Sequence, residues 1–469
     1  MKSSKAQTHA KVHRVPDLKF EEETRLTSYS GLVIFFVLFR ALDLRRRLRR
    51  CFAHLGGQKV VGYWKVMLLL VVHLLLGFRR LRGLDYYRDD PLVARVVGLH
   101  RLPDVSTVSR TLKDMDDKAV SNVGGLSRDI VLDRLVAENF ARVTLDFDGS
   151  VQSTTGHMEG TAVGFNKVKK GARSYYPLYC TVAQTAQFFD MHHRPGNVHD
   201  SVGAPKFMEQ CFEAVCRHLP RTIMEARADS AFFSETILDT LVEWLVEFTC
   251  SVPFNRFPEL KAVVESIESW GNWTRLNDDI SYSELVWKPK SWEVGKLHRY
   301  VAVRQRKPKQ TKGPLQLDLF EPKDYDYEYK VIVTNKEQSA GAVIAFHNGR
   351  GSQEGIFAEG KQDAALGVIA TRRKLGNQLF TFAGMLAHNL TRELQMRVES
   401  PPRATQPKRP ARWPFLELGT IRQRLLQRAG RLSEPQGRLT LTLGANASVQ
   451  AELRSLIEAA GASHNERAA

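Results

Sequence analysis

The segment from Arg142 to Ser150, RVTLDFDGS, restricts the fold more than any other stretch of the chain. Apolar residues alternate with polar ones, which is the period of a β-strand. Asp146 and Asp148 therefore point to the same face, just before a Gly-Ser turn. Two carboxylates on one face indicate a metal site, and ligands gather at the carboxyl ends of strands in α/β sheets. We take Asp148, which is nearer that end, as the metal ligand, with Asp146 as the reserve carboxylate.

A second predicted strand begins at Thr222 and runs into Asp229, with a helix predicted over 234–246. The two aspartates are 229 − 148 = 81 residues apart. On the residue pattern alone, Asp229 could be a metal ligand or only the cap of that helix. Further strands are predicted over 178–186 and 188–193, and an amphipathic helix over 204–218, so this part of the chain has the elements of an α/β fold.

The segment from His347 to Lys361, HNGRGSQEGIFAEGK, predicts a loop followed by a helix. Arg350 lies between two glycines, and the helix is expected to begin after Ser352. Glu354 and Lys361 are seven residues apart, two helical turns, and so share a face. A carboxylate between two cations suits a metal ligand beside a phosphodiester, whereas a lone Glu-x6-Lys is usually an exposed helix face.

Together these segments resemble the DDE transposases of bacterial insertion sequences. The spacing from His347 through Arg350 and Glu354 to Lys361 resembles the Tyr-Arg-Glu-Lys signature of one branch, with His in place of Tyr. The segment 156–178 is similar to the insertion-sequence group numbered thirteen-eighty, with Phe165 in place of its usual Tyr. The segment RADSAF that contains Asp229 resembles the family's second-aspartate motif, which favours metal ligation over capping.

The resemblance implies an α/β fold with a ribonuclease-H-like catalytic core, interrupted by a mostly β insertion and preceded by a helical DNA-binding region. It also implies that Asp148, Asp229 and Glu354 hold two Mg²⁺ ions, for which Mn²⁺ can substitute. The implied reaction is cleavage of DNA strands at the ends of the element and their transfer to target DNA. Arg350, Lys361 and His347 would bind phosphates, and the protein would act as a homodimer in the DNA complex.

The net charge of +17 and the pI near 9.7 favour a polyanionic partner, nucleic acid before membrane. Two apolar runs, 31–42 and 66–78, are too short to span a bilayer and are predicted to be buried helices. Five cysteines without a C-x-x-C pair favour reduced thiols and a reducing cytoplasm. With the resemblance, this predicts a cytoplasmic, nucleoid-associated bacterial protein with no membrane partner.

Several basic residues are candidate DNA contacts. Arg45 and Arg46 belong to six arginines at the end of a helix predicted over 26–48, more than the helix dipole requires. Arg110 ends the segment LPDVSTVSR, which has the pattern of a recognition helix in a helix-turn-helix, or of a structural turn. Lys167 and Lys170 lie in a basic loop that could contact phosphates or be merely solvated. Three histidines nearby, at 192, 193 and 199, are interpreted as structural or phosphate-facing, since carboxylates suit Mg²⁺ better.

The distance from Asp229 to Glu354 is 354 − 229 = 125 residues, which is long for a ribonuclease-H-like core and predicts an insertion. Strands are predicted within it over 280–287, 298–304 and 327–334. The predicted regions are a flexible tail (1–24), a helical DNA-binding region (25–141), the first part of the core (142–255), a β-rich insertion (256–340), the second part of the core (341–399), and a linker with a C-terminal appendage (400–469).

Two other functions fit parts of this pattern. A DNA-binding regulator derived from a transposase would use only the basic N-terminal region and would have no use for converging acids. A metal-dependent nuclease of the same fold would use the acids without a strand-transfer step, and only the family likeness separates it from a transposase.

Overall fold

The computed structural model describes residues 17–20, 25–56, 61–164, 166, 169–270, 273–292, 298–306, 327–399 and 410–461. Most of the predicted tail and residues 400–409 of the predicted linker lie outside them. The strands of the described residues are β1 (Leu26–Thr27), β2 (Arg142–Gly149), β3 (Gln152–Thr154), β4 (Ala162–Val163), β5 (Arg173–Tyr175), β6 (Leu178–Val182), β7 (Gln187–His192), β8 (Ile223–Ala228), β9 (Glu247–Val252), β10 (Thr274–Arg275), β11 (Ile280–Leu285), β12 (Arg299–Arg306), β13 (Tyr327–Thr334), β14 (Gly430–Ser433) and β15 (Thr440–Leu443).

The α-helices of the same residues are α1 (Val33–Ala41), α2 (Leu44–Cys51), α3 (Tyr63–Leu75), α4 (Pro91–Val97), α5 (Val105–Lys113), α6 (Asp117–Glu138), α7 (Ala204–His218), α8 (Glu235–Glu243), α9 (Pro258–Trp270), α10 (Ala340–Asn348), α11 (Ser352–Asp363), α12 (Lys374–Val398), α13 (Leu418–Ile421) and α14 (Ala447–Gly461). Helices and strands therefore mix throughout, and the predicted α/β class is confirmed.

A nine-stranded sheet forms the centre of the fold, in the order β10-β11-β12-β13-β9-β8-β2-β6-β7. On one side of β2, strands β6 and β7 run antiparallel as a hairpin. On the other side, β8 and β9 run parallel to it. This order and these directions are those expected of a ribonuclease-H-like core. The carboxyl ends of the three parallel strands meet at one edge of the sheet.

Four further strands, β13 to β10, continue the central sheet beyond β9. Strand β13 pairs antiparallel with β9, placing Val331 opposite Val252, and β12, β11 and β10 follow as a meander. Strands thus occur in all three segments where alternation predicted them. Trp287 is 7% exposed and packs edge-on against Tyr300.

The first N-terminal helices differ from the sequence prediction. The prediction of one helix over 26–48 is wrong, because Asp43 adopts a left-handed conformation (φ 49°) between α1 and α2. The helix that contains the second apolar run begins at Tyr63 and ends at Leu75. Gly77, with φ 97°, turns the chain there, and Arg422 from the C-terminal region donates hydrogen bonds to the last carbonyls of α3.

One hydrophobic core joins the N-terminal helices, α12 and the C-terminal segment. Helix α12 is buried along most of its length and packs against α3 and α6, while α14 packs against α1 and α12. Strand β1 pairs with β14. A second core fills the sheet face that is covered by α7 and α8. The apolar helices α1 and α3 are largely buried in the first core, and no helix in the described part of the chain is both long and apolar enough to cross a membrane.

Candidate active site

Two aspartates meet at the carboxyl ends of adjacent parallel strands. Asp146 on β2 lies opposite Arg227 on β8, so two residues further Asp148 and Asp229 are at the same level of the sheet. Asp229 accepts a hydrogen bond from the Ala231 backbone N–H (2.9 Å) and so caps a short 3₁₀ turn. Helix α8 has its own cap, Ser234, so Asp229 does not have the capping role considered for it in that helix.

Asp148 is a poorly compensated carboxylate. Burial, followed by the charge of Asp229, raises its pKa to about 7. The Arg350 guanidinium lies 3.5 Å from its Oδ2 and offsets only part of this, while the Gly149 N–H donates to Oδ1 (2.8 Å). The side chain keeps 26% of its surface exposed at the sheet edge, so an ion or a substrate can reach it.

Asp146, the reserve carboxylate, has a different environment. It is fully buried, and both of its oxygens accept hydrogen bonds of 2.6 Å from Arg227. A buried carboxylate with a bidentate partner has its charge balanced within the protein. Its role is therefore to fix Arg227 and β8 beside β2, and the structure favours Asp148 as the residue that faces a ligand.

A third aspartate, Asp200, lies beside this pair and was not singled out in the sequence. Its charge raises the pKa of Asp148, and its Oδ2 accepts a hydrogen bond from the Tyr176 hydroxyl (2.9 Å). The residue is 9% exposed. Oδ1 has no hydrogen bond in the described residues, although the Arg194 guanidinium is 3.6 Å away. A side chain at Gly149 would overlap Asp200 and Tyr176, so this approach needs glycine.

Helix α11 and the short turn before it, Gly349–Gly351, bring the predicted cations to the acids. Gln353 fixes its first turn by donating to the Asp146 carbonyl (2.9 Å) and to Thr181 (3.0 Å). Lys361 is half-buried, which lowers its pKa, and the nearby charge of Asp148 partly offsets this effect. Arg350 and Lys361 thus both lie close to Asp148, as their position in the motif suggested.

Glu354 is not drawn into the acid group in this structure. It is exposed in the first turn of α11, and within the described part of the chain its carboxylate makes no hydrogen bond or ion pair. Among the described residues, no three His, Cys, Asp or Glu side chains converge closely enough to hold a metal ion. The structure therefore brings Asp148 and Asp229 together and leaves Glu354 outside.

His347 does not face a phosphate. It is 1% exposed, and its two ring nitrogens are hydrogen-bonded to Thr249 (3.0 Å) and Ser251 (2.9 Å) of β9. Burial lowers its pKa well below the usual value, so the ring is neutral. This burial is incompatible with the predicted phosphate contact. The imidazole instead fixes the end of α10, and with it the loop of Arg350, against the sheet.

The other predicted DNA contacts are distributed over the surface. Arg45 donates to the Val96 carbonyl (2.8 Å) at the end of α4, and Arg46 pairs with Asp43. Arg110 is exposed on α5, and among the described residues it forms hydrogen bonds only within its own helix. Lys170 is exposed, and Lys167 lies outside the described residues. Of these, Arg110 and Lys170 present their charges most openly to solvent.

The sequence from residue 17 to 463 matches the family model described as Transposase DDE domain group 1. The chain belongs to the DDE transposase family.

Solved structures similar to the chain include a piggyBac transposase synaptic complex with hairpin DNA (10% identity, TM-score 0.38, covering 85% of this chain and 80% of that chain). They also include a Mos1 transposase paired-end complex with the left transposon end (13% identity, TM-score 0.16, 46% and 73%) and a Mos1 mariner paired-end complex with Mn (13%, 0.17, 54% and 90%). No curated protein matches the sequence significantly.

The site has one more charged group, Lys330, which the sequence pattern did not indicate. It lies on strand β13, where burial and then the charge of Arg350 lower its pKa to about 8. Only the pairing of β13 with β9 brings this lysine to the site. Strand β13 thus adds a cation near Arg350. Nothing in the alternating sequence of this strand indicates that its lysine lies at the site.

Proposed function

We propose that this protein is the transposase of a bacterial insertion sequence of the thirteen-eighty group. It would bind the terminal inverted repeats of its own element, cleave DNA strands at the ends and join them to target DNA. The observation that carries the proposal is the placement of Asp148 level with Asp229, with Arg350 and Lys361 beside Asp148. Acids and phosphate-binding cations at one sheet edge are what metal-dependent phosphoryl transfer requires.

Asp148, Asp229 and Glu354 are the residues that we propose to hold two Mg²⁺ ions, with Mn²⁺ as a substitute. Asp148 and Asp229 fit such ions, since hard cations prefer carboxylate oxygens and Asp148 carries negative charge that its protein partners do not balance, whereas Glu354 lies outside this pair in the structure. Glu354 is on the same helix as Lys361 and is free of protein partners among the described residues. When bound, the ions supply activation of the attacking oxygen and stabilisation of the leaving oxygen.

The protein's own groups bind and orient the DNA. Arg350 and Lys361 would hold non-bridging phosphate oxygens next to Asp148, and Lys330 adds a third positive charge. The Asp146–Arg227 pair and Gln353 keep β2, β8 and α11 in fixed relative positions. These residues thereby orient the phosphodiester for in-line attack, although they do not react themselves.

The partner is DNA, both the element ends and the target, as the excess of positive charge and the family membership suggest. An element has two ends that must be processed together, so we propose a homodimer in the DNA complex. We place the protein in the bacterial cytoplasm, associated with the nucleoid.

The test is a strand-cleavage assay with Mg²⁺ on DNA that carries the terminal inverted repeats flanking the gene. We expect Glu354→Gln to keep DNA-end binding and to lose cleavage by at least about 10³-fold, equivalent to about 4 kcal/mol of transition-state stabilisation. Glu337→Gln, at another exposed glutamate, is the matched control and should cleave normally.

The other outcomes separate the alternatives. Binding without cleavage by the wild type would favour the DNA-binding regulator, and cleavage that ignores the ends would favour the nuclease. If Glu354→Gln loses binding together with cleavage, Glu354 has a structural role and is not the third acid.

A further inference from the structure

A groove of about 630 Å³ lies between the N-terminal helices and the part of the chain that follows strand β2. On the N-terminal side it is lined by Arg80, Arg82 and Ser109. On the other side it is lined by Ser153, Thr154 and Lys169. It therefore joins the region predicted to recognise DNA to the region that carries the acids.

The charges around this groove are positive and uncompensated. Arg80, Arg82 and Lys169 are exposed, and none forms an ion pair with another described residue. None of the described residues that line the groove is acidic. By contrast, the groove of about 380 Å³ near Arg128 contains Asp117, Asp190 and Glu213 among its lining residues. Cations on both walls without carboxylates favour a polyanionic occupant.

The hydroxyl groups favour phosphate in particular. Ser153 Oγ accepts a hydrogen bond from Asn166 (2.7 Å), and Thr154 Oγ1 accepts one from the Gly156 N–H (3.2 Å). Since each hydroxyl is already an acceptor, its own proton remains available to donate. Phosphate oxygens accept such bonds and donate none, and Arg, Lys, Ser and Thr are the side chains that contact DNA backbones.

The groove leads to the acid pair through Lys361. The backbone of Gly367 lines the groove, and a Cβ at this position would lie 3.7 Å from Lys361 Cγ. Arg79 donates to the Lys361 carbonyl (3.1 Å), which fixes the N-terminal region to the end of α11. Lys361 in turn is close enough to Asp148 for its pKa to respond to that charge. The aliphatic part of the Lys361 side chain therefore lies between the groove and the sheet edge that carries Asp148.

Resting on the function proposed above, we propose that this groove holds the sugar-phosphate backbone of the DNA strand that leads to the scissile phosphate. Arg80, Arg82 and Lys169 bind successive phosphates there, and Ser153 and Thr154 donate hydrogen bonds. DNA held by α5 on one wall then passes Lys361 and reaches Asp148. These contacts do not depend on the base sequence. They would therefore set the position of the cut, while other contacts would recognise the sequence of the element end.

The test compares two triple variants, Arg80→Ala/Arg82→Ala/Lys169→Ala and the control Arg438→Ala/Arg454→Ala/Lys118→Ala. Each removes two arginines and one lysine that are exposed, so both should stay folded and have the same net charge. Binding to an element-end duplex is measured in EDTA by fluorescence anisotropy between about 50 and 200 mM salt. Ethylation interference then maps which phosphates each protein needs.

The groove variant should lose affinity, and the slope of log K against log salt should fall by about 2.7 in magnitude, from three contacts at about 0.9 each. The control should keep the wild-type slope. Ethylation of phosphates next to the cut should weaken wild-type binding and have little further effect on the groove variant. The conservative pair Arg80→Lys/Arg82→Lys should retain the slope, since the charges are kept.

An unchanged slope in the groove variant overturns the proposal, and so does an equal loss in the control, which would show an effect of net charge alone. If the wild type binds and cuts the ends while the groove variant keeps its slope, only the groove assignment fails. If the wild type does not bind the ends at all, the proposed function fails and the groove assignment fails with it.

Discussion

The two ends of strand β2 carry charges in very different balance. At the amino end, Arg142 donates to Glu225 (2.8 Å) and Glu247 (2.7 Å), and Lys336 donates to the same two carboxylates at 2.6 and 2.7 Å. Two cations and two anions share one hydrogen-bonded network. These bonds, with Arg142 as the main cause, lower the pKa of Glu247 to about 2.

At the carboxyl end, three aspartates face far weaker compensation. Asp148, Asp229 and Asp200 lie close enough for their charges to interact, and the nearest cation of Asp148, Arg350, is 3.5 Å away. The pKa of Asp148 is raised, where that of Glu247 is lowered. One sheet therefore holds a closed ionic network at one end and an open acidic edge at the other. The closed end stabilises the fold, and the open end is available for a ligand.

Removing a cation from the ionic network at the amino end of β2 should have the largest effect on stability. Lys336 is 4% exposed, so Lys336→Met removes one of the two cations of this network, and the free energy of unfolding should fall by about 3–5 kcal/mol. Chemical denaturation at pH 7.5 measures the loss. Lys261→Met, which removes an exposed pair with Glu265 at 3.8 Å, is the control and should cost less than about 1 kcal/mol. Equal losses in the two variants would contradict the comparison.

Neutralising the open end should stabilise the protein. In metal-free buffer, Asp148→Asn should raise the free energy of unfolding at pH 8 by up to about 4 kcal/mol, from roughly three pKa units at about 1.4 kcal/mol each. Because the folded pKa is about 7 and the unfolded pKa is near 3.8, the penalty is absent below about pH 4, grows between pH 4 and 7, and is complete above 7.

Urea titrations from pH 4 to pH 8 test this pH dependence. The control is Asp146→Asn on the same strand, which removes the partner of buried Arg227 and should destabilise the protein. A gain for Asp148→Asn that is the same at every pH would show that charge is not its cause.

The smallest expected effect concerns Tyr176. Its hydroxyl is a hydrogen-bond donor to Asp200, so Tyr176→Phe should cost about 1.5 kcal/mol at pH 8. This loss of unfolding free energy should become smaller as the pH falls through the raised pKa of Asp200. The reason is that the hydroxyl forms a weaker hydrogen bond with a protonated carboxyl than with a carboxylate. Tyr179→Phe, which removes a phenol bonded to Gln152, should show no such pH dependence in the same denaturation series.

Local pattern was enough to find the strands that carry the acids. The alternation around Asp146 and Asp148 depends only on neighbouring residues, and β2 spans it with both side chains on one face. The apolar run before Asp229 became β8 for the same reason. Pattern could not tell which of Asp146 and Asp148 is balanced within the protein, because the partner that decides it, Arg227, is 81 residues away.

Features set by distant contacts could not be read from the sequence. Asp200 reaches the site because Arg194 donates to the carbonyls of His199, Asp200 and Val202 and so shapes their loop. His347 is buried because β9 offers two hydroxyls to its ring. A motif gives the spacing of side chains along the chain, whereas their burial depends on what packs over them.

The pairing of β1 with β14 has a consequence for how the protein is made. Residue 27 and residue 430 are partners in one small sheet, and Arg422 supplies the cap of α3, so the first helices depend on residues synthesised near the end of the chain. At about 5–20 residues per second, the intervening 430 − 27 = 403 residues take about 20–80 s to translate. For most of its time on the ribosome, a nascent chain therefore has N-terminal helices that lack these C-terminal contacts. An mRNA truncated before codon 430 would yield a protein in which the pairing with β14 never forms.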